Sequence, residues 1–157
     1  MKYIPLTNSD KMAIVDDEYF DLVMQHNWYL NGSGYANTSI NGNDVSLHRF
    51  IINAIKGQEV DHKEQDRLDC RIDNLRFCTH GQNIANDGSR KNNKLGVKGV
   101  DQIKKTGKYR ATIRVNYKKI HLGNFDTLFE AAKAYNEASR KYFGEFGYQN
   151  DLESIHA

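Results

Sequence analysis

Apolar and polar positions change rhythm several times along the chain. Between the turn signals Asn31-Gly32-Ser33-Gly34 and Asn41-Gly42, the stretch Tyr35-Ala36-Asn37-Thr38-Ser39-Ile40 reads as a strand. Val45 and Ser46 begin a return strand. From Leu47 to Ile55 the spacing turns helical, with Leu47, Phe50, Ile51 and Ala54 on one face and Gly57 past the end. Val60-Asp61-His62 then reads as a short strand, residues 64–73 as a charged loop, and Asn74-Leu75-Arg76-Phe77-Cys78 as the paired strand. Thr79-His80-Gly81-Gln82 has the Thr-x-x-Gln form of a capping box, so a helix is expected from there, with Asn83 in its first turn facing back toward the strands. Ahead of all this, residues 3–30 mix short apolar runs with acids. Asp21 to His26 suggests one or two helical turns, and Trp28-Tyr29-Leu30 a strand.

A polar stretch from Asp87 to Lys94 lacks any large apolar side chain and separates two halves. The expected division is a first domain over 1–90, a linker over 91–97, a second domain over 98–150 and a tail over 151–157. In the second half Gly99 to Ile103 suggests a strand and residues 104–108 a turn. Tyr109 to Val115 alternates strictly, with Tyr109, Ala111, Ile113 and Val115 on one face and Arg110, Thr112 and Arg114 on the other. After a turn at Asn116-Tyr117-Lys118, residues 119–123 repeat the alternation, so that Lys119 and His121 join the basic face. Thr127 and Glu130 form a second capping box. Behind it Leu128, Ala131, Tyr135, Ala138 and Tyr142 mark one buried helix face that stops near Gly144. The fold class is therefore α+β: strand, loop, strand and helix, then a three-stranded antiparallel sheet packed on one helix.

Charge sharpens this division. The 157 residues carry a net charge of only +2. Residues 94–125 alone hold nine Lys/Arg against one acid, while residues 1–45 are net −4, 46–93 net +1 and 126–157 net −3. A concentrated basic segment is the footprint of a face that binds a polyanion. Lys98, Lys108, Arg110, Thr112, Arg114, Lys119 and His121 are its candidate contacts. Cys70 and Cys78 belong to no Cys-x-x-Cys pair, so a structural zinc site is not expected, and two reduced thiols fit better than a disulfide. The amino-terminal residues lack the apolar core of a signal peptide, and no run approaches the roughly 18 apolar residues of a membrane span. A cytoplasmic location with no membrane partner is expected.

Within the first half, a carboxylate, an imidazole and two amides recur at fixed separations: Asp61-His62, Asn74 twelve positions on, and Asn83 nine beyond that. A phosphodiester resists attack because its oxygens are negative and its leaving alkoxide is poor, and a divalent cation offsets both. Magnesium takes oxygen ligands and keeps several waters, so the Asp61 carboxylate and the Asn83 amide oxygen suffice as a metal pair, one ion per site, with manganese an alternative. His62 is the candidate base. Asn74 either braces the loop or orients the histidine, and Arg76 anchors a neighbouring phosphate. His48 has two readings, a phosphate or metal contact and a helix-start histidine packed over the core. Residues adjacent on a regular strand point to opposite faces, so Asp61 and His62 need a strand end or a distortion to serve one site. The bland alternative is a surface pair with turn-forming asparagines.

The series Leu47-His48-Arg49, Val60-Asp61-His62, Asn74-Leu75-Arg76 and Gln82 to Asn86 resembles the HNH endonucleases, most closely the His-Asn-Asn variant of phage and intron-encoded homing enzymes. The resemblance covers about residues 1–90. It implies a ββα-metal motif, Asp61 and Asn83 as metal ligands, His62 as general base and Asn74 as support. The second half, from Lys98-Gly99-Val100 through Ile120 to Phe125, Ala131 to Tyr135 and Asn150, resembles the AP2 DNA-binding domain, whose sheet enters the major groove. Asp101 stands where that family often has Arg, and His121 where it often has Trp. Together these resemblances imply a metal-dependent endonuclease acting on double-stranded DNA, with no small-molecule cofactor and an oligomer possible but not implied. The rivals are a DNA-binding regulator with an inactive nuclease half, and an RNA-binding module. The exposed strand face lacks the aromatic platform an RNA-binding module would use.

Overall fold

The computed structural model describes residues 1–155, and the chain divides after His80 into two compact units. In the first, β1 (Lys2–Leu6) and β2 (Ser9–Val15) form an antiparallel hairpin, a short helix α1 (Phe20–Val23) follows, and β3 (Tyr29–Leu30), β4 (Ala36–Ile40) and β5 (Asn43–Ser46) form a three-stranded sheet in that order. Helix α2 (Leu47–Ile51) leads to the hairpin of β6 (Glu59–His62) and β7 (Leu75–Cys78). The core gathers Ile4, Val15, Val23, Trp28, Leu47, Val60 and Leu75, with the Trp28 indole N–H donating to the Val23 carbonyl at 2.8 Å.

Helix α2 is shorter than its apolar spacing predicts. Asn53 adopts φ 54°, and the Ala54 and Asn53 amides close back on the Arg49 and Phe50 carbonyls at 3.0 and 3.4 Å. This is a Schellman end, in which a left-handed asparagine satisfies the last carbonyls and turns the chain out of the helix. The β1–β2 hairpin was not expected. Its turn at Thr7-Asn8 carries no glycine, and its outward residues break the alternation. The loop between β6 and β7 is anchored to this hairpin: the Ile14 amide donates to the Leu68 carbonyl and the Cys70 amide to the Ile14 carbonyl, both at 2.8 Å.

Helix α3 (His80–Asn86) starts one residue after Thr79, where the capping signal places it, and the division between units falls after its first residue. In the second unit β8 (Val100–Gln102), β9 (Tyr109–Val115) and β10 (Lys118–Phe125) form an antiparallel sheet with β9 central, against which helix α4 (Leu128–Phe143) packs. The Thr127–Glu130 capping box is formed in both directions, and Gly144 at φ 57° ends the helix. Ala111, Ile113, Ala131, Ala132 and Tyr135 fill the space between sheet and helix, while Tyr142 stays exposed. Asn136 and Ser139 occupy the helix face instead and bind the chain that follows: Asn136 exchanges two bonds with the Asn150 backbone, and the Ser139 hydroxyl donates to the Tyr148 carbonyl. Residues 91–97, read from sequence as a linker, carry Leu95 and Val97 into this core, and Leu152 and Ile155 of the expected tail pack there too.

Candidate functional site

The β6–β7 register sets Asp61 opposite Arg76 and His62 opposite Leu75. Asp61 is buried at 5% exposure. Nε of Arg76 donates to its Oδ2 at 2.8 Å, and Nη2 forms an ion pair with the same oxygen at 2.7 Å. A carboxylate withdrawn this far from water is tolerated because a guanidinium fork meets it. Sequence reading gave Arg76 to a substrate phosphate. In the structure its partner is Asp61.

His62 is the last residue of β6, and alternation gives its ring a different set of neighbours. It lies 4.8 Å from the His48 ring and 5.8 Å from the Tyr35 ring, centroid to centroid, and Tyr35 and His48 are 5.0 Å apart. The three rings form a triangle, and the Arg67 guanidinium stands 5.0 Å over that of Tyr35. Burial pushes the His48 imidazole down to about 3, with the neighbouring His62 and Arg49 adding to the effect. Burial also lowers His62, opposed by the negative charge of Asp61, Asp66 and Asp69. Both rings are therefore neutral near pH 7, the state in which an imidazole nitrogen can accept a proton.

This burial has a consequence for stability. The folded pKa of His48 lies below the unfolded value, so the unfolded chain binds more protons between about pH 6.5 and 3. Stability is full above that window and falls as pH falls through it, by about 2 kcal/mol between pH 7 and pH 5 for this one group. His48→Phe, which keeps a ring in the stack, is expected to shrink the acid-induced drop in urea midpoint, as read by circular dichroism at the two pH values.

Asn74 is buried, and all of its side-chain bonds described here go to the loop between the strands. Its Oδ1 accepts the Glu64 amide and its Nδ2 donates to the Asp69 carbonyl, both at 2.8 Å. Its backbone carbonyl accepts the Lys63 amide at 2.8 Å. Of the two roles left open by the sequence, these bonds correspond to bracing the loop. The chain turns sharply right after His62, with Gln65 at φ 60° and its amide donating to the His62 carbonyl. Asn74 thus fixes the segment that ends β6 at His62. Asn83 is half-buried on α3 and belongs to the second unit.

Residues 47–85, which span this hairpin, match a family described as HNH endonuclease. A protein of Acanthamoeba polyphaga mimivirus, itself named an uncharacterized HNH endonuclease, is 32% identical over 147 residues, covering 90% of this chain and 75% of its own length. The chain belongs to the HNH endonuclease family. No solved structure matches it. Within this endonuclease the matched residues run from the stacked His48 through Asp61, His62, Asn74 and Arg76 to α3.

Among the described residues no group of three or more His, Cys, Asp or Glu side chains gathers as a metal cluster. In the hairpin of the endonuclease the buried carboxylate of β6, Asp61, stands next in sequence to a neutral imidazole. A carboxylate is an oxygen donor of the kind a divalent cation takes. Tyr35 and Arg67 escaped the sequence reading. Tyr35 lies 27 positions before His62 and carried only a strand signal, so nothing local pointed to the stack.

The second unit of the endonuclease presents a separate polar surface. Arg110, Thr112 and Arg114 of β9 point away from α4, with Lys119 opposite Arg114 and His121 opposite Thr112. A bulge at Leu122 resets β10, so Asn124 comes opposite Arg110 and shares its face. Lys98 does not join this surface. Its ammonium donates to the carbonyls of Ile84, Ala85 and Asp87 at the end of α3, and burial pulls its pKa down to about 8. Lys108 pairs with Asp126 at 3.3 Å.

Proposed function

We propose that this endonuclease hydrolyses phosphodiester bonds of double-stranded DNA in a metal-dependent reaction at the β6–β7 hairpin. The carrying observation is the buried, neutral His62, whose ring is fixed by His48 and Tyr35 at a strand end, immediately after the carboxylate of Asp61. His62 takes the proton of the attacking water. Asp61 would hold the cation, with Asn83 as a second oxygen donor on the family resemblance alone. When bound, a divalent cation would neutralise charge on the scissile phosphate and the leaving oxygen. Arg76 aims the Asp61 carboxylate, and Asn74 keeps the strand end in place.

The same proposal assigns DNA docking to the β8–β10 sheet, an AP2-like surface laid in the major groove. Its support is charge complementarity: nine Lys/Arg and one acid in residues 94–125, with Arg110, Arg114, Lys119 and His121 on the face turned from α4. Phosphate contacts would set the position and a few side chains would read bases. Arg114→Ala is expected to weaken DNA binding and to reduce the slope of log K against log salt by about 0.9, the value for one lost phosphate contact. Fluorescence anisotropy over a salt series checks this, and an unchanged slope removes Arg114 from the docking surface.

A docking surface in one unit and one cleavage centre in the other fit a site-selective, homing-type enzyme that nicks as a single copy. Supercoiled plasmid incubated with Mg²⁺ or Mn²⁺, with and without EDTA, tests the reaction. Conversion to nicked or linear plasmid that EDTA abolishes is expected. Cleavage that persists in EDTA removes the metal, and binding without cleavage would favour a regulator.

A further inference from the structure

The segment of nine Lys/Arg contains one acid, Asp101, and that acid stands on the basic face itself. The β8–β9 register puts it directly opposite Arg110, and the ion pair uses a particular edge of the guanidinium. Nε of Arg110 donates to Oδ1 at 3.2 Å, and Nη2 donates to Oδ2 at 2.5 Å. Both side chains are about half exposed, 44% for Arg110 and 50% for Asp101. Arg110 is on the central strand, in a row that runs Asp101, Arg110, Asn124 across the sheet.

We propose that Asp101 is a specificity-determining residue: it clamps the inner edge of the Arg110 guanidinium so that the outer edge is presented to guanine rather than to phosphate. This deepens the DNA-docking reading and rests on it. Arginine carries five donors in a rigid fork. The clamp occupies Nε–H and one Nη2–H, and leaves both Nη1–H groups and the second Nη2–H. The outer pair is the geometry that meets O6 and N7 of guanine in the major groove. A mobile arginine on a cationic face would satisfy itself on any phosphate, which carries no sequence information. A carboxylate here costs general affinity for a polyanion, so its presence on this face is accounted for by discrimination. A purely structural ion pair between half-exposed side chains would stabilise the sheet little and would leave base preference untouched.

The test is selection of bound duplexes from a randomised DNA library by the full chain, for wild type, Asp101→Ala, Asp101→Glu and Arg110→Ala, followed by anisotropy on the selected site over a salt series. The expected result is a guanine in the wild-type consensus that becomes degenerate in both Asp101→Ala and Arg110→Ala, with a loss of about tenfold in discrimination at that position. The other positions stay unchanged. Asp101→Ala is also expected to bind unselected DNA several-fold more tightly, with a salt slope steeper by about 0.9 as Arg110 turns to a phosphate, while Asp101→Glu retains part of the preference. A wild-type consensus that survives intact in Asp101→Ala overturns the clamp and leaves the docking reading standing. Failure of the wild type to enrich any sequence, with no salt-dependent binding, overturns both.

Discussion

His62→Ala is expected to reduce plasmid cleavage by roughly 10²–10⁴-fold, the range for loss of a positioned general base, with DNA affinity nearly unchanged. Affinity survives because the proposed docking residues lie on β9 and β10, far along the chain from the hairpin. The substitution also leaves a gap in the stack with His48 and Tyr35, so folding must be checked by the unfolding midpoint alongside the cleavage rate. His62→Phe fills the gap without a proton acceptor and is expected to be equally inactive. Cleavage at the wild-type rate in either variant would remove His62 as the base.

The largest expected effect on stability is at Gly99. Its φ is +78°, and a Cβ there would lie 2.1 Å from Cδ2 of Tyr135 and 2.7 Å from the Thr112 carbonyl oxygen. That carbonyl is backbone of the central strand, and Tyr135 is buried under the sheet, so neither can retreat cheaply. The Lys98 backbone just before it is held on both sides by the Asn150 amide. Gly99→Ala combines overpacking with a strained backbone and is expected to cost the second unit roughly 3 kcal/mol or more. Gly107, at φ +74°, has open space around its Cα. Gly107→Ala therefore shows the backbone cost alone, about 1 kcal/mol. Urea unfolding of the two variants should separate these effects, and equal midpoints would mean the close approach at Gly99 is not a constraint.

How much was legible in the sequence depended on how local each signal was. The α4 capping box, the Gly144 stop and the alternating face of β9 are set by residues within one or two turns of each other, and the structure reproduces them. The bulge at Leu122 was not legible: alternation predicts Leu122 on the inner face either way, and only the pairing with β9 shows that one extra residue is absorbed there. The second core drew in Leu95, Val97, Leu152 and Ile155 because short apolar residues in polar surroundings look like linker until a helix offers them a surface. At the candidate site, spacing selected Asp61, His62, Asn74 and Asn83; the first three fall, with Arg76, on one hairpin and its loop, and Asn83 falls on α3. The packing of Tyr35 and His48 against His62 joins the loop before β4, α2 and the end of β6, so no window of sequence contains it. Asp61 engages Arg76 and His62 engages the stack, at the residue where the strand ends.

The most direct test of the Asp61–His62 proposal is the initial rate of plasmid nicking against Mg²⁺ concentration for wild type and Asp61→Asn. Asparagine keeps the shape and an oxygen for Arg76 but removes the charge that would hold the cation. The expected result is a saturable rise for wild type, and for Asp61→Asn a curve displaced to at least about tenfold higher Mg²⁺ or flat throughout, the magnitude of losing a metal-site carboxylate or its support. Superimposed curves for the two proteins would contradict a metal-bearing role for Asp61.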